Sequence, residues 1–285
     1  MHGVSVVIPA LNEEKSLEGV IKELKEGLKK SGLSFEIIVV DDGSTDQTSK
    51  IAQDNGARVL SHPQPGGYGL SLRDGILSAK YDWIAIIDAD QTYPANRVGE
   101  LVGYLDKYDM VVGARTGAFF RESLVKYPMR QVFHFLCEFV TGIKIPDVNS
   151  GFRAFKKDAV LKYKENFCLG FSFTTTITLA FHLNGHFVKY VPVAYQKRKG
   201  KSHVRLLQDT LRTAQIITQA ILYYNPIKLF LLLFIATFVT ALLCFGFYTI
   251  NNSTLLLIIG QSFFIIAFVY LGMGFIADIC RQRKA

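Results

Sequence analysis

IIVVDDGSTDQT, residues 37–48, sets four consecutive β-branched aliphatic residues directly before two aspartates, a glycine and a Ser-Thr-Asp cluster. An uninterrupted apolar run of this length reads as a strand buried on both faces, and the polar residues after it as a loop at its carboxyl end. The pattern recurs on either side. Residues 4–8 lead into Pro9-Ala10-Leu11-Asn12-Glu13-Glu14, and residues 83–87 lead into Asp88-Ala89-Asp90. Shorter apolar runs lie at 58–60 and 110–112, and helical periodicity falls between the runs at 15–30, 45–55, 70–79 and 95–104. This alternation predicts an α/β domain with a mostly parallel sheet and helices on both faces.

Ligands of open α/β sheets bind beyond the carboxyl ends of the strands, and that is where the informative residues lie. The first loop is not the GxGxxG of a dinucleotide site. Instead, three acidic clusters follow three strands and predict one electronegative mouth. Such a mouth repels bare phosphates unless a divalent cation, or a sugar and base that donate hydrogen bonds, intervene. Helix capping by Asp and Ser accounts for any one cluster; three at one edge ask for more.

VSVVIPALNEE, IIVVDDGSTDQT and IAIIDAD resemble, in order, the strand-end motifs of inverting family 2 glycosyltransferases with the GT-A, Rossmann-like fold, over about the first two hundred residues. DVNSGFRAF, residues 147–155, is similar to the DxxSGFR element of the dolichyl- and polyprenyl-phosphate sugar transferases of that family. The resemblance implies that Pro9, Asn12 and Glu13 lie at the nucleotide base and ribose, with Asp41 and Asp42 beside them and Asp42 accepting hydrogen bonds. Asp88 and Asp90 would hold Mg²⁺ or Mn²⁺ against the diphosphate of a nucleoside-diphosphate sugar. Arg73, after Gly66-Gly67-Tyr68-Gly69, is a candidate nucleotide contact or a surface charge. Relatives carry DADLQ where this chain has Asp88-Ala89-Asp90-Gln91-Thr92, so Gln91 or Thr92 would have to supply a third ligand.

An alcohol acceptor needs a general base, whereas a phosphate monoester is already anionic near neutral pH. Around residues 171–176, where hydroxyl-using members place an acidic pair, the chain reads Phe-Ser-Phe-Thr-Thr-Thr. That favours a phosphate acceptor, which the resemblance implies is a polyprenyl-phosphate lipid. Asp147 is the remaining catalytic base candidate, or else a structural acceptor before the Ser150-Gly151 turn. Candidate cations for the acceptor phosphate are Arg115, Arg130, Arg153, Arg198 and Lys201, each with a solvated surface charge as its alternative. Transfer to a hydroxyl of a lipid-linked saccharide is the rival within enzymes. A membrane-tethered sugar-nucleotide sensor is the rival outside them. Processive polymer synthesis is disfavoured because no QxxRW element is present and Trp83 is the single tryptophan.

The chain has 285 residues, 49% of them hydrophobic, and a formal charge of +8. Between positions 197 and 212 six Lys or Arg residues face one acid, Asp209, just before an apolar tract, a placement that suits an anionic membrane surface. With no basic-aromatic binding module, no nucleic-acid partner is expected. The four cysteines are widely spaced and indicate neither a disulfide framework nor a zinc site. Positions 229–277 carry no formal charge. As one helix that run would measure roughly 70 Å against a bilayer core of about 30 Å, so two spans are expected, at 229–250 and 254–277. Residues 203–224 have helical periodicity suited to an amphipathic interfacial helix or to a core-facing one. The expected organisation is a catalytic domain at 1–200, the amphipathic helix at 201–226 and a two-span hairpin at 227–280. Basic residues flank both outer ends of the hairpin and none sits in its turn, so an integral membrane protein with a cytoplasmic catalytic domain and both termini cytoplasmic is expected. No cleavable signal peptide is read at the start. Self-association through the spans is left open, since no small-xxx-small stripe compels it.

Overall fold

A computed structural model describes residues 3–117, 126–164, 173–196, 215, 218–219, 221–222 and 225–282. The chain divides into two compact units, residues 1–210 and 211–285. The expected amphipathic helix at 203–224 lies almost wholly outside the described residues.

In the first unit a seven-stranded sheet has the order β3-β2-β1-β4-β6-β5-β7. Its strands are β1 (Gly3–Ala10), β2 (Ser34–Asp41), β3 (Arg58–Ser61), β4 (Trp83–Ile86), β5 (Met110–Thr116), β6 (Arg153–Lys156) and β7 (Val188–Ala194). Only β6 runs against the others; it pairs antiparallel with both β4 and β5. The helices are α1 (Leu17–Ser31), α2 (Thr48–Asp54), α3 (Tyr68–Ser78), α4 (Val98–Gly103) after a 3-10 turn at Ala95–Arg97, α5 (Lys126–Thr141), α6 (Lys157–Leu161) and α7 (Phe173–Leu183). The five strands and four helices expected from the pattern are present, with ends shifted by up to four residues. The antiparallel β6, the strand β7 and helices α5 to α7 are additions.

Strand alternation divides the core into two layers. Val4, Val6, Ile8, Ile37 and Val39 meet Leu17, Ile21 and Leu24 of α1 and Val98, Leu101 and Val102 of α4. From the other face Val7, Ile38 and Val40 meet Leu72 and Ile76 of α3, Val160 of α6 and Phe173, Ile177 and Phe181 of α7. Both faces are therefore covered, which is why the strands are nearly all apolar. Helix α1 buries Leu17, Val20, Ile21, Leu24 and Leu28 at helical spacing and ends at Gly32, whose φ of 69° is a left-handed cap. With these side chains fully buried, Leu24→Ala would cost about 2–5 kcal/mol.

The second unit holds α8 (Pro226–Asn251) and α9 (Thr254–Gln282), two helices long and apolar enough to cross a membrane. The break falls at Asn252, which takes a left-handed conformation and donates its N–H to the Tyr248 carbonyl at 2.8 Å. Gly260, Ala267 and Gly274 recur every seven residues on α9 and are buried. Gly260 lies against Phe245 and Gly274 against Phe230 of α8. Phe234, Phe238, Phe264 and Phe268 interlock between the two helices. This small stripe is thus used inside the hairpin. Side chains such as Ile250, Leu255, Ile265 and Ile276 face outward and exposed, an apolar surface that needs a non-aqueous neighbour.

Candidate active site

The chain runs from β1 outward to β2 and β3, then returns to place β4 on the other side of β1. A crevice opens at the carboxyl ends of the strands where the order reverses. Ala10 is paired with Asp41 across β1 and β2, and Val7 with Ile86 across β1 and β4. Continuing the second register by two residues sets Asp88 alongside Pro9. The three acidic loops therefore share one edge. Because β6 is antiparallel, the loop that enters it, residues 147–152, arrives at that same edge.

The loops after β1 and β2 are laced together. The Asn12 N–H donates to Ser44 Oγ and the Thr45 N–H to Asn12 Oδ1, both at 2.9 Å. The Glu13 N–H donates to Thr48 Oγ1 at 2.8 Å, and the Glu14 N–H to Asp46 Oδ2 at 3.2 Å. Asn12 adopts φ 55°, a left-handed conformation that asparagine tolerates. Burial works against the charge of Asp46, yet hydrogen bonds from Thr48 and Glu14 hold its pKa below the ordinary carboxylate value.

Asp41 is buried and accepts the Ser44 N–H at 3.0 Å. Asp42, also buried, accepts the Gly66 N–H on Oδ1 at 2.9 Å and the Gly67 N–H on Oδ2 at 2.8 Å. Gly67 has φ 102° and ψ 159°, a region open essentially to glycine alone, and this aims its N–H at the carboxylate. His62 Nδ1 lies 2.7 Å from Asp42 Oδ1, and its Nε2 lies 3.3 Å from Asp74 Oδ2. Arg73 donates from Nε to Asp74 at 2.9 Å. Arg73 is thus linked to Asp42 through Asp74 and His62.

Asp88 accepts the Tyr68 hydroxyl on Oδ1 at 2.9 Å. Its carboxylate lies so close to Gly151 that a Cβ there would overlap it. Asp90 is buried and accepts on Oδ1 from the Thr92 hydroxyl at 2.6 Å and the Thr92 N–H at 3.1 Å. Gln91 takes φ 58°, and its side-chain amide fills the space over Gly19 of α1. The residue that could have replaced the displaced glutamine as a ligand is therefore turned toward α1, and Thr92 is engaged with Asp90. Among the described residues no group of three or more His, Cys, Asp or Glu side chains is placed to hold a metal. Two carboxylates suit a Mg²⁺ or Mn²⁺ that takes its other oxygens from water and a substrate diphosphate, which is how these ions usually bind. Burial first, then Asp88, raises the Tyr68 phenol well above its ordinary pKa, and burial likewise pushes Tyr93 up. Both hydroxyls stay protonated. The Tyr93 hydroxyl accepts the Gly151 N–H at 2.9 Å.

Asp147 is 2% exposed and fully engaged. It accepts Arg115 Nε and the Arg115 N–H on Oδ2 at 2.8 and 3.0 Å, and Arg115 Nη2 and the Asn149 N–H on Oδ1 at 2.8 and 3.1 Å. Burial opposes its charge, but Arg115 outweighs that and holds the pKa below the ordinary carboxylate value. A carboxylate so committed is a poor proton acceptor. Of its two sequence readings, the geometry favours the structural one, as anchor of Arg115. Arg115 also stacks over Tyr195, with its guanidinium carbon 5.5 Å from the ring centroid, and Tyr195 packs edge-on to Tyr93 at 5.2 Å.

Arg153 corrects an expectation. Read as a ligand for an acceptor phosphate, it is fully buried. It donates to the carbonyls of Ser150, Thr174 and Val148 at 2.9, 3.1 and 3.1 Å and to Thr178 Oγ1 at 3.0 Å. With its donors spent on α7 and the 148–150 turn, it binds the site loop to the core and does not reach a ligand. Arg130 lies on α5, and Arg198 and Lys201 fall outside the described residues. Sequence reasoning missed Tyr68, His62, Tyr93 and Tyr195. For Tyr68 the one available signal was its place just after the Gly66-Gly67 pair.

Residues 5–164 match the sequence family described as glycosyl transferase family 2. An uncharacterised glycosyltransferase of Mycobacterium tuberculosis is 41% identical over 113 residues, 39% of this chain and 48% of the relative, so the chain spans about half the length of that protein. A dolichyl-phosphate hexose transferase of Haloferax volcanii is 28% identical over 206 residues, covering 70% of this chain and 85% of the relative. Among solved structures, glucosyl-3-phosphoglycerate synthase of Mycobacterium tuberculosis, in complex with Mn²⁺, UDP and glucosyl-3-phosphoglycerate, is 25% identical with a TM-score of 0.59 over 77% of this chain and 79% of its own. The family match takes in the three acidic loops and the 147–153 turn that the sheet gathers at one edge, and the chain belongs to glycosyl transferase family 2.

Proposed function

We propose that this chain transfers a sugar from a nucleoside-diphosphate sugar to a polyprenyl phosphate of the dolichyl or undecaprenyl type, at the cytoplasmic face of a membrane and with inversion at the anomeric carbon. The observation that carries the reading is the loop 147–151, which touches both halves of the reaction. At one end Asp147 grips Arg115, and at the other Gly151 lies against Asp88. One loop thereby links Asp88, read as a cation ligand, to the pinned Arg115. The dolichyl-phosphate specificity in the name of the Haloferax relative supports the acceptor class, and the apolar hairpin α8–α9 supports a lipid one.

In this mechanism Pro9, Asn12, Glu13, Asp41 and Asp42 line the nucleotide side. Asp88 and Asp90 would hold Mg²⁺ or Mn²⁺, and that ion would neutralise charge on the departing diphosphate. A phosphate oxygen of the lipid attacks the anomeric carbon as the bond from that carbon to the diphosphate oxygen breaks. The attacking oxygen is already anionic, so no side chain has to remove a proton. Arg115 offers its guanidinium to the acceptor phosphate, held in orientation by Asp147 and Tyr195. Arg130, Arg198 and Lys201 remain candidates for the same anion. Thr175 donates to Asn149 at 2.5 Å, so the first turn of α7, where hydroxyl-using relatives place acids, here supports the 147–151 loop.

The test is an acceptor comparison with the full chain in detergent, offering polyprenyl phosphate and polyprenol with radiolabelled UDP- and GDP-sugars. Label should pass to polyprenyl phosphate only, and Asp90→Ala should abolish transfer. Label on polyprenol, or on a lipid-linked saccharide in its place, would establish the hydroxyl reading. Undiminished transfer by Asp90→Ala would remove the metal site.

A further inference from the structure

Three contacts meet at the turn 66–68. The amides of Gly66 and Gly67 hold both oxygens of Asp42. The next residue, Tyr68, donates its hydroxyl to Asp88 Oδ1 at 2.9 Å. Gly151 also lies against the Asp88 carboxylate, where its backbone leaves no room for a side chain. Asp88 is thus contacted by both a hydroxyl and a glycine. A carboxylate on a short stem turns easily about its last torsion, which is broad and roughly two-fold. A hydrogen bond to one oxygen restricts that rotation and fixes where the remaining lone pairs point.

We infer that Tyr68 is a positioning residue for the catalytic cation: its hydroxyl sets the orientation of Asp88, and the turn that carries it ties that orientation to the carboxylate facing the nucleotide. The inference rests on the reading of Asp88 as a metal ligand. Tyr68 does not touch the cation in this scheme; it acts through Asp88. Partners of this kind are worth roughly 10- to 100-fold in metal affinity. The rest of the turn holds the ring in place independently of the hydroxyl, because Gly67 fixes the entry to α3 and Leu72 and Ile76 anchor that helix in the core. Removing the oxygen alone therefore breaks the bond to Asp88 while keeping the ring.

The experiment uses the full chain in detergent micelles and reads free Mn²⁺ by its paramagnetic resonance signal, alone and with UDP or GDP. Tyr68→Phe should raise the Mn²⁺ Kd about 10- to 100-fold, while KM for polyprenyl phosphate and the thermal midpoint stay near the wild-type values. Wild-type Mn²⁺ affinity in Tyr68→Phe overturns the inference. So does a fall in the thermal midpoint that accompanies the loss of Mn²⁺, since that would mark a general structural role. Asp88→Asn separates the two levels of the argument. If it abolishes Mn²⁺ binding while Tyr68→Phe does not weaken it, only the role of Tyr68 is lost; if it binds Mn²⁺ normally, the assignment of Asp88 fails first and Tyr68 with it.

Discussion

Asp147→Asn keeps the shape of the side chain and removes its charge, leaving Arg115 without its counter-ion in a site where the two side chains are only 17% and 2% exposed. Breaking one partner of a buried ion pair costs about 3–5 kcal/mol, because the surviving charge keeps its desolvation penalty. In a unit of this size that corresponds to a thermal midpoint lower by on the order of 10 °C. The pH dependence follows from the depressed pKa of Asp147. A carboxylate with a lowered folded-state pKa contributes its stability in full above the unfolded value of about 4 and loses it as the pH falls through the folded value. The gap between wild type and variant should therefore be constant from pH 8 to about pH 5 and shrink only in stronger acid. Thermal unfolding of the full chain across that range measures it. Adding Arg115→Met should recover part of the loss, since the orphaned charge is then gone. An Asn variant that melts with the wild type, or a double variant worse than the sum of its parts, would refute the view of Asp147 as an anchor. In turnover, an anchor should raise the acceptor KM, whereas a base should lower kcat with KM unchanged.

Arg153→Lys should destabilise the chain by about 2 kcal/mol or more in urea unfolding, because one ammonium cannot reach the separated carbonyls of Val148, Ser150 and Thr174 that the guanidinium spans. Gly151→Ala would drive a methyl group into the Asp88 carboxylate; transfer activity should fall at least tenfold, with the loss appearing in Mn²⁺ dependence before it appears in acceptor KM.

The parts of this molecule that could be read from sequence are those where one physical cause dominates. Strands β1, β2 and β4 are buried on both faces, so their runs are apolar save for Ser5 of β1, and the polar residues that end them mark the binding edge. Strand β6 is four residues, Arg-Ala-Phe-Lys, and nothing in so short a run announces a strand; pairing on both sides makes it one. Helix α7 begins with Phe-Thr-Thr-Thr-Ile-Thr, a β-branched stretch whose helical form is decided by tertiary packing. Arg153 looked like a ligand because charge ordinarily marks surface, and its partners are main-chain carbonyls, which side-chain identity does not reveal. Tyr68 and Tyr93 reach acceptors and donors 20 and 58 positions away, distances at which local pattern carries no information. The acidic loops converged as their strand ends implied; the tyrosines, the histidine and the glycine that orient them became visible only with the fold.

On the proposed function, the hydrogen bonds that lace residues 12–14 to residues 44–48 bear on how quickly the chain would engage a donor. A rim cross-stitched by its own side chains and backbone would not have to be ordered when a nucleotide arrives, so little conformational entropy would be lost at that step. Capture should then proceed as a simple one-step encounter, with most of the discrimination among donors expressed in how fast the wrong ones leave.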